Sequence, residues 1–238
     1  MKNSSLVLAA FLLVMGHISA QKKLVWFDTG IKAQVGASGL LNKNFVDSEE
    51  FDYTIGLTSG FGVGGRIGIN KDYSGLSLEG MYVKGKQEMK PADGSALSYD
   101  WQSIDAYALF RNSKNLGYFE IGPKAQFLSK LNKTVGATET DITSSFNKMN
   151  FAGVIGFGAN LIGNDGAFSG LLGLRFEYGF TDIVGKDFRT SATSPIGDPL
   201  LDYKSTNPWF AGLVFELNWG IGYFGVAQCG ARSKFIMF

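Results

Sequence analysis

From Thr29 onward, apolar and polar residues alternate with period two, the spacing of strands with one apolar and one polar face. Thr29, Ile31, Ala33, Val35 and Ala37 alternate with Gly30, Lys32, Gln34 and Gly36. Phe61, Val63, Gly65, Ile67 and Ile69 alternate with Gly60, Gly62, Gly64, Arg66 and Gly68. The pattern recurs around 76–82, 103–111, 119–127, 150–161, 172–181 and 212–221. About eight strands of roughly ten residues are therefore predicted, the length that crosses a bilayer at a tilt. The repeat is the hairpin, and no domain boundary or low-complexity tract interrupts it.

The connections alternate in length. "KDYSG", "NSKNLG" and "GNDGA" are short turns rich in Gly, Asn and Asp. Long polar loops are predicted near 38–58, 85–98, 132–148 and 182–207. Short turns at one rim and long loops at the other are the topology of an outer-membrane barrel. The expected fold is all-β, an antiparallel up-and-down transmembrane β-barrel of about eight strands.

Charge decides which face points inward. One parity of each strand carries none. The other carries Lys32, Arg66, Arg111, Lys124 and Arg175 against Glu79, Asp105, Glu120, Glu177 and Glu216. A Lys or Arg on the lipid face at the midplane costs about 2–4 kcal/mol, so these ten residues are predicted to form a lumen charge network. A soluble carrier barrel would need the reverse arrangement. Eight strands leave a lumen only wide enough for side chains. Aromatics cluster at strand ends: Phe27, Tyr73, Phe110, Tyr118, Phe168 and Trp219 toward the short turns, and Tyr82, Trp101, Phe127, Tyr178 and Trp209 toward the long loops. This placement predicts two interfacial girdles. Pro123 cannot donate to a ladder, so a bulge is expected at Gly122-Pro123.

Composition agrees with strands. Apolar residues make up 45 %, with 32 Gly, 20 Phe and 9 Tyr. The formal net charge of +1 shows no nucleic-acid footprint. The start, "MKNSSLVLAAFLLVMGHISAQKK", has a charged n-region, an apolar h-region from Leu6 to Met15 and small residues at Ser19-Ala20. It predicts a signal peptide over 1–20, followed by the barrel over 21–224. Residues 225–238 read as a periplasmic tail after a last strand ending at Phe224. The alternative is a further strand ending at Phe238.

Candidate chemistry is sparse. The one His, His17, lies in the signal, which removes His-dependent nucleophilic and zinc sites from the mature chain. Cys229 is the only cysteine and is read as an unpaired thiol. Asp47 to Asp52, "DSEEFD", lacks the EF-hand spacing and reads as a solvated acidic loop. Asp198 and Asp202 are carboxylates without a predicted pocket, and Asn132-Lys133-Thr134 is a chance sequon. Gly60, Gly62 and Gly65 match a dinucleotide-binding spacing, but "RIGINKDYSGLSLEG" continues as strand, turn and strand, where that motif needs a helix. The stripe is read as lumen-facing glycines beside long charged neighbours. Apolar loop residues (Leu40, Leu41, Phe45, Phe51, Ile196, Leu200, Leu201) leave two readings open, an outward binding surface or a fold over the barrel mouth.

Three stretches carry a resemblance: "YFEIGPKAQFLSK" (Tyr118–Lys130), "FAGVIGFGAN" and "LRFEYGFTDI" (Leu174–Ile183). They resemble the eight-stranded outer-membrane β-barrel domain family that includes the PorT-like proteins, with Phe176 and Phe180 as departures from its Arg-Tyr-x-Tyr-Gly-Leu-Thr pattern. The resemblance implies a bacterial outer-membrane location and fixes no activity. The expected protein is non-enzymatic, with no cofactor, metal or catalytic residues and a structural, binding or assembly role. Its expected partners are outer-membrane lipid, the barrel assembly machinery, and a protein or small-molecule ligand at the extracellular loops. The alternative is a narrow channel for small solutes.

Overall fold

The computed structural model describes residues 25–43, 51–69, 74–91, 97–114, 116–164, 168–190, 195–196, 202–225 and 234–237. Eight long strands account for most of them: β1 (Val25–Asn42), β3 (Gly56–Ile69), β4 (Gly75–Pro91), β5 (Leu97–Lys114), β6 (Gly117–Val135), β8 (Met149–Asn164), β9 (Phe168–Gly179) and β10 (Thr206–Gly225). Three short strands accompany them: β2 (Phe51–Tyr53), β7 (Thr138–Asp141) and β11 (Lys234–Met237). The signal segment, His17, Asp47, Asp198 and Cys229 lie outside the described residues.

Each long strand pairs antiparallel with the next. β10 also pairs back on β1, from Val25↔Phe224 to Asn42↔Thr206. Every long strand therefore has two hydrogen-bonded neighbours, and none is left as a long unpaired edge. Alternation sets the two faces. In β5, Tyr99, Ser103, Asp105, Tyr107, Leu109 and Arg111 are buried, while Ile104 and Phe110 between them are exposed.

The strands run further than expected at the long-connection end. Most of 85–98 is strand, because the alternation persists there: Gln87, Met89, Leu97 and Tyr99 are buried, and Lys86 and Glu88 are exposed. β2 adds to the end of β4 and β7 to the end of β6, so the sheet continues beyond the main ring as β2-β4-β5-β6-β7.

The bulge expected at Gly122-Pro123 is absent. The β5–β6 register is the same from Tyr107↔Lys124 to Phe110↔Ile121, and only the two intervening pairings drop out. A Cβ on Gly122 would lie 2.1 Å from the Ala108 carbonyl oxygen, so glycine permits close strand contact beside the proline. The register shift falls instead at Ser129, because Gln102 pairs with Lys130 and Ser103 with Leu128. The extra residue re-aims the strand: buried Lys124 gives way to buried Leu131, and Lys130 stays outside.

Two aromatics assigned to girdles point inward. Tyr118 and Trp101 are buried, because each shares the parity of the charged residues on its strand, Glu120 and Asp105. Phe110, Phe127, Phe168, Tyr178 and Trp219 are exposed. At the C-terminus, β11 pairs with Gly222–Gly225 of β10, past Trp219, the last β10 residue that pairs with β9. Lys234–Met237 is thus a four-residue strand.

The glycine stripe of β3 lies on the inward parity. A Cβ on Gly64 would lie 2.8 Å from Lys32 Cε and 3.3 Å from Glu79 Cγ, so its missing side chain is the space through which these two meet. At Gly62 a Cβ would fall 2.0 Å from the Gly80 carbonyl oxygen, whereas one on outward Gly80 meets nothing within 4 Å. Gly62→Ala should therefore lower stability by about 1–3 kcal/mol through overpacking, and Gly80→Ala should be near neutral. Urea unfolding of the two refolded variants checks this. Equal midpoints would mean that the stripe is not packed as described.

Candidate functional site

Inward-facing side chains of six long strands build one closed ring of ion pairs. Lys32 Nζ (β1) lies 2.6 Å from Glu79 Oε1 (β4). Glu79 Oε2 lies 3.0 Å from Arg175 Nη1 (β9), and Arg175 Nη2 lies 2.7 Å from Glu120 Oε1 (β6). Glu120 Oε2 lies 2.6 Å from Arg111 Nη2 (β5), which is 2.5 Å from Glu216 Oε1 (β10). Lys32 Nζ, 3.0 Å from that same Glu216 oxygen, closes the ring. Signs alternate throughout, so each of the three cations touches two carboxylates and each carboxylate touches two cations.

The chemistry of the ring follows from burial. Arg111, Arg175 and Glu216 are fully buried, and an ion taken from water into such a site is costly unless paired and hydrogen-bonded. Arg111 meets the cost with a fork: Nη1 donates to Glu216 Oε2 at 2.9 Å, and Nε donates to Glu120 Oε2 at 3.2 Å. Aromatic faces supply further contact. Arg111 lies 4.2 Å from the Tyr118 ring centroid, and Arg175 lies 5.0 Å from that of Tyr107. Glu79, Glu120 and Glu216 bring oxygens within 4.8 Å of one another, a spacing compatible with a metal. Their charge already faces Lys32, Arg111 and Arg175, so the trio is an element of the ring.

Two smaller clusters flank it. Toward the short-turn end, Arg66 Nε donates to Asp28 Oδ2 at 2.9 Å and Arg66 stacks over Trp26. Toward the other end, Lys124 Nζ lies 2.6 Å from both Asp105 Oδ2 and Glu177 Oε2. All ten charged residues of the predicted network are buried and fall into these three clusters. Asp28 is an eleventh. Reading the first strand from Thr29 excluded it, although it shares the parity of Lys32. The other missing members are Trp26, Tyr107 and Tyr118, whose polar-face parity was the available signal.

Above the Lys124 cluster the interior turns apolar. Leu40, Met89, Leu97, Tyr99, Trp101 and Leu131 form one buried cluster with Phe146, Ile183, Val184 and Ile196 from the long connections. Of the two readings for apolar loop residues, Leu40 and Ile196 follow the fold over the mouth. Leu41 is partly exposed, and the side chains of Phe45, Phe51, Leu200 and Leu201 lie outside the described residues. Phe146 and Val184 form a β-bridge, and Asn147 N donates to Ile183 O at 2.8 Å, joining the two crossing segments. Asp182 ties them to the wall. Its Oδ1 accepts from Val184 N and Thr206 N, each at 3.1 Å, and its Oδ2 accepts from the Tyr203 hydroxyl at 2.6 Å. Burial, then the bond to Asp182, pushes the Tyr203 hydroxyl pKa above its usual value. Asp202 is exposed, and Asn132 of the sequon is buried and donates to Glu139.

Arg175→Met leaves Glu79 and Glu120 short of positive charge and should cost about 3–5 kcal/mol in urea unfolding. Arg175→Met/Glu79→Gln should recover part of that loss, and simple additivity would refute the coupling. Asp182→Ala should speed proteolysis between 185 and 190 without moving the unfolding midpoint of the sheet. In the wild type, protection of that segment should be complete up to about pH 10 and decline progressively above it, because a raised hydroxyl pKa gives its full stabilisation below the unfolded-state value and loses it as pH rises toward the folded-state one.

No family profile matches the chain, and no curated protein matches it. Among solved structures, it is similar to Neisserial surface protein A (NspA), at 11 % identity and TM-score 0.39 over 80 % of this chain and 95 % of that one. It is similar to Ail, the attachment invasion locus protein of Yersinia pestis, solved with the heparin analogue sucrose octasulfate. There the identity is 14 % and the TM-score 0.39, over 80 % of this chain and 99 % of that one. The translocator domain of the autotransporter NalP from Neisseria meningitidis matches at 10 % identity and TM-score 0.28, over 91 % and 94 %.

Proposed function

We propose that the chain is a closed eight-stranded barrel of the bacterial outer membrane, with residues 1–20 as an export signal removed from the mature protein. Its role is structural, binding or assembly, without catalysis. The β2-β4-β5-β6-β7 extension and the long connections form its outward face, and the short turns lie in the periplasm. The PorT-like resemblance of Tyr118–Lys130 and Leu174–Ile183 belongs to this reading. Outer-membrane lipid and the assembly machinery are its partners, and any further ligand meets the long-connection end.

One observation carries the proposal: the buried charges sit inside, while the opposite parity is apolar and about half exposed. Ile31, Phe61, Val63, Leu78, Ile104, Ile155, Phe176 and Phe215 are all on that exposed face. Such a surface far exceeds the apolar patch that a soluble monomer shows. On β6 the outward run from Phe119 to Phe127 rises about 20 Å at a 40° tilt, near the height of an apolar membrane band. Outward charges begin beyond it, at Lys84, Lys86, Glu88 and Lys130. The ion-pair ring and the apolar cap fill the interior, which favours an anchor over a conducting pore.

The refolded protein should migrate differently on gels with and without boiling. No shift, together with solubility in detergent-free buffer, would refute the barrel. Planar bilayers should show no steady unitary currents, and their appearance would favour transport. Ile155→Arg should cost about 2–4 kcal/mol in vesicle-folded protein, against a smaller loss for Ile155→Ala. Equal losses would mean that this face does not meet lipid.

A further inference from the structure

Where the outward face turns from apolar to polar, three adjacent strands present a row of donors. Lys84 (β4) pairs in register with Gln102 (β5), and Gln102 with Lys130 (β6). Both lysines are exposed and Gln102 is half-buried. Among the described residues, neither lysine has a carboxylate within 4 Å, whereas Lys86 is held by Glu88 at 2.9 Å. Asp141, the acid that senses Lys130, accepts from Thr143 N at 2.9 Å. The Tyr82 hydroxyl donates to Gln102 Oε1 at 2.9 Å, and among the described residues Gln102 Nε2 has no acceptor. Lys84 Nζ lies 5.6 Å from the Tyr82 ring centroid. The bulge at Ser129 completes the row. Without the extra residue, Gln102 would meet Ser129 and Lys130 would turn inward opposite Trp101.

A second observation lies directly beneath. Phe61, Tyr82 and Ile104, one row toward the apolar band, border an outward groove of about 640 Å³, lined also by Ile31, Val63 and Gly80. That volume suits a ligand, and the apolar lining suits a hydrocarbon chain. A Cβ on Gly80 would meet nothing within 4 Å, so the groove is open there. Comparable grooves lie elsewhere on this face, one of them beside the single lysine Lys114, so a groove alone selects nothing. This one has two lysines over it. Lys84 and Lys130 stand two strand spacings apart, about 10 Å, and their flexible four-carbon stems let both ammonium groups reach one point over Gln102. Two cations and an amide N–H at one point match an anionic phosphate. A phosphate joined to a hydrocarbon chain is a lipid. Tyrosine and snorkelling lysines at such a boundary are the anchors of a membrane–water interface.

We propose that Lys84, Gln102 and Lys130 bind the anionic phosphate headgroup of a membrane lipid whose chain lies in the groove at Gly80. The lipid's place rests on the outer-membrane reading proposed above, in which the long-connection end faces outward and this lipid belongs to the outer leaflet.

The test is native mass spectrometry of the full refolded protein in a non-ionic detergent. It is titrated with phosphatidic acid or with phosphatidylcholine of the same chains, whose phosphate is masked by a choline cation. Phosphatidic acid should bind about tenfold more tightly, the order expected of two lysines near an anionic headgroup. Lys84→Gln/Lys130→Gln should remove that preference. Lys186→Gln, at an exposed lysine of the capping connection, should leave it unchanged. Gly80→Leu fills the groove and should weaken both lipids. Excess inorganic phosphate should displace neither. The gel shift on boiling confirms beforehand that each variant is folded. Should the double variant not fold, the comparison of the two lipids on the wild type decides. Equal binding of the two lipids would overturn the site, as would undiminished binding to Gly80→Leu. So would an equal loss in Lys186→Gln, which would mean bulk charge, or displacement by inorganic phosphate, which would mean a free-anion site. A wild type without a gel shift would sink the outer-membrane reading as well, whereas equal lipid binding by a protein that shifts sinks the lipid site alone.

Discussion

A ring of six alternating charges can close only if six strands present one side chain each at the same depth. Lys32, Glu79, Arg111, Glu120, Arg175 and Glu216 come from β1, β4, β5, β6, β9 and β10, and each meets two neighbours of opposite sign. Slipping one strand by one residue would turn its charge to the apolar face and leave two partners unmatched. The ring thus makes register a shared property of the interior. A buried ion pair adds little net stability by itself. Its contribution is to penalise wrong registers.

Other features of the interior serve this constraint. Gly64 leaves the space in which Lys32 reaches Glu79, and a Cβ on Gly156 would lie 2.7 Å from Glu120 Oε1. Tyr107 and Tyr118 present ring faces to the guanidinium groups. The apolar cap of Leu40, Met89, Tyr99, Leu131, Phe146, Ile183 and Val184 covers the charged region at the long-connection end. Outside, the apolar parity leaves about half of each Phe, Ile and Leu surface uncovered, which under the proposed function is the surface that lipid covers. The two faces are then mutually consistent: one sheet separates an apolar outer surface from an interior of paired ions.

Much of this was legible in the chain. Alternation has period two in a strand by geometry, so the residues of each face could be named without coordinates, and the absence of charge from one parity assigned inside and outside. Pairing partners were not legible. Lys32 with Glu216 and Arg111 with Glu216 join positions far apart in sequence, and nothing in the local pattern selects them. Asp28 was missed because the alternation is clear only from Thr29 onward, whereas β1 begins at Val25 and Trp26 and Asp28 already share the inward parity. Tyr118 and Trp101 were read as interfacial from their position near strand ends, whereas parity, the stronger determinant, placed them inside. The expected bulge followed proline's missing amide, but the ladder lost two pairings at Pro123 without shifting. The bulge arose at Ser129, where an added residue keeps Lys130 out and Leu131 in.

By itself, then, the sequence determined the strand content, the two chemically opposite faces and the set of charges that share the inward parity, because each follows from spacing along one chain. Only the tertiary structure decided which cation meets which carboxylate, that Glu177 keeps an oxygen without a protein partner, and that Ile183 and Val184 pack into the apolar cluster. Those outcomes depend on strand registers and loop paths that bring distant residues within 3 Å, and the free energy selecting them belongs to the assembled interior.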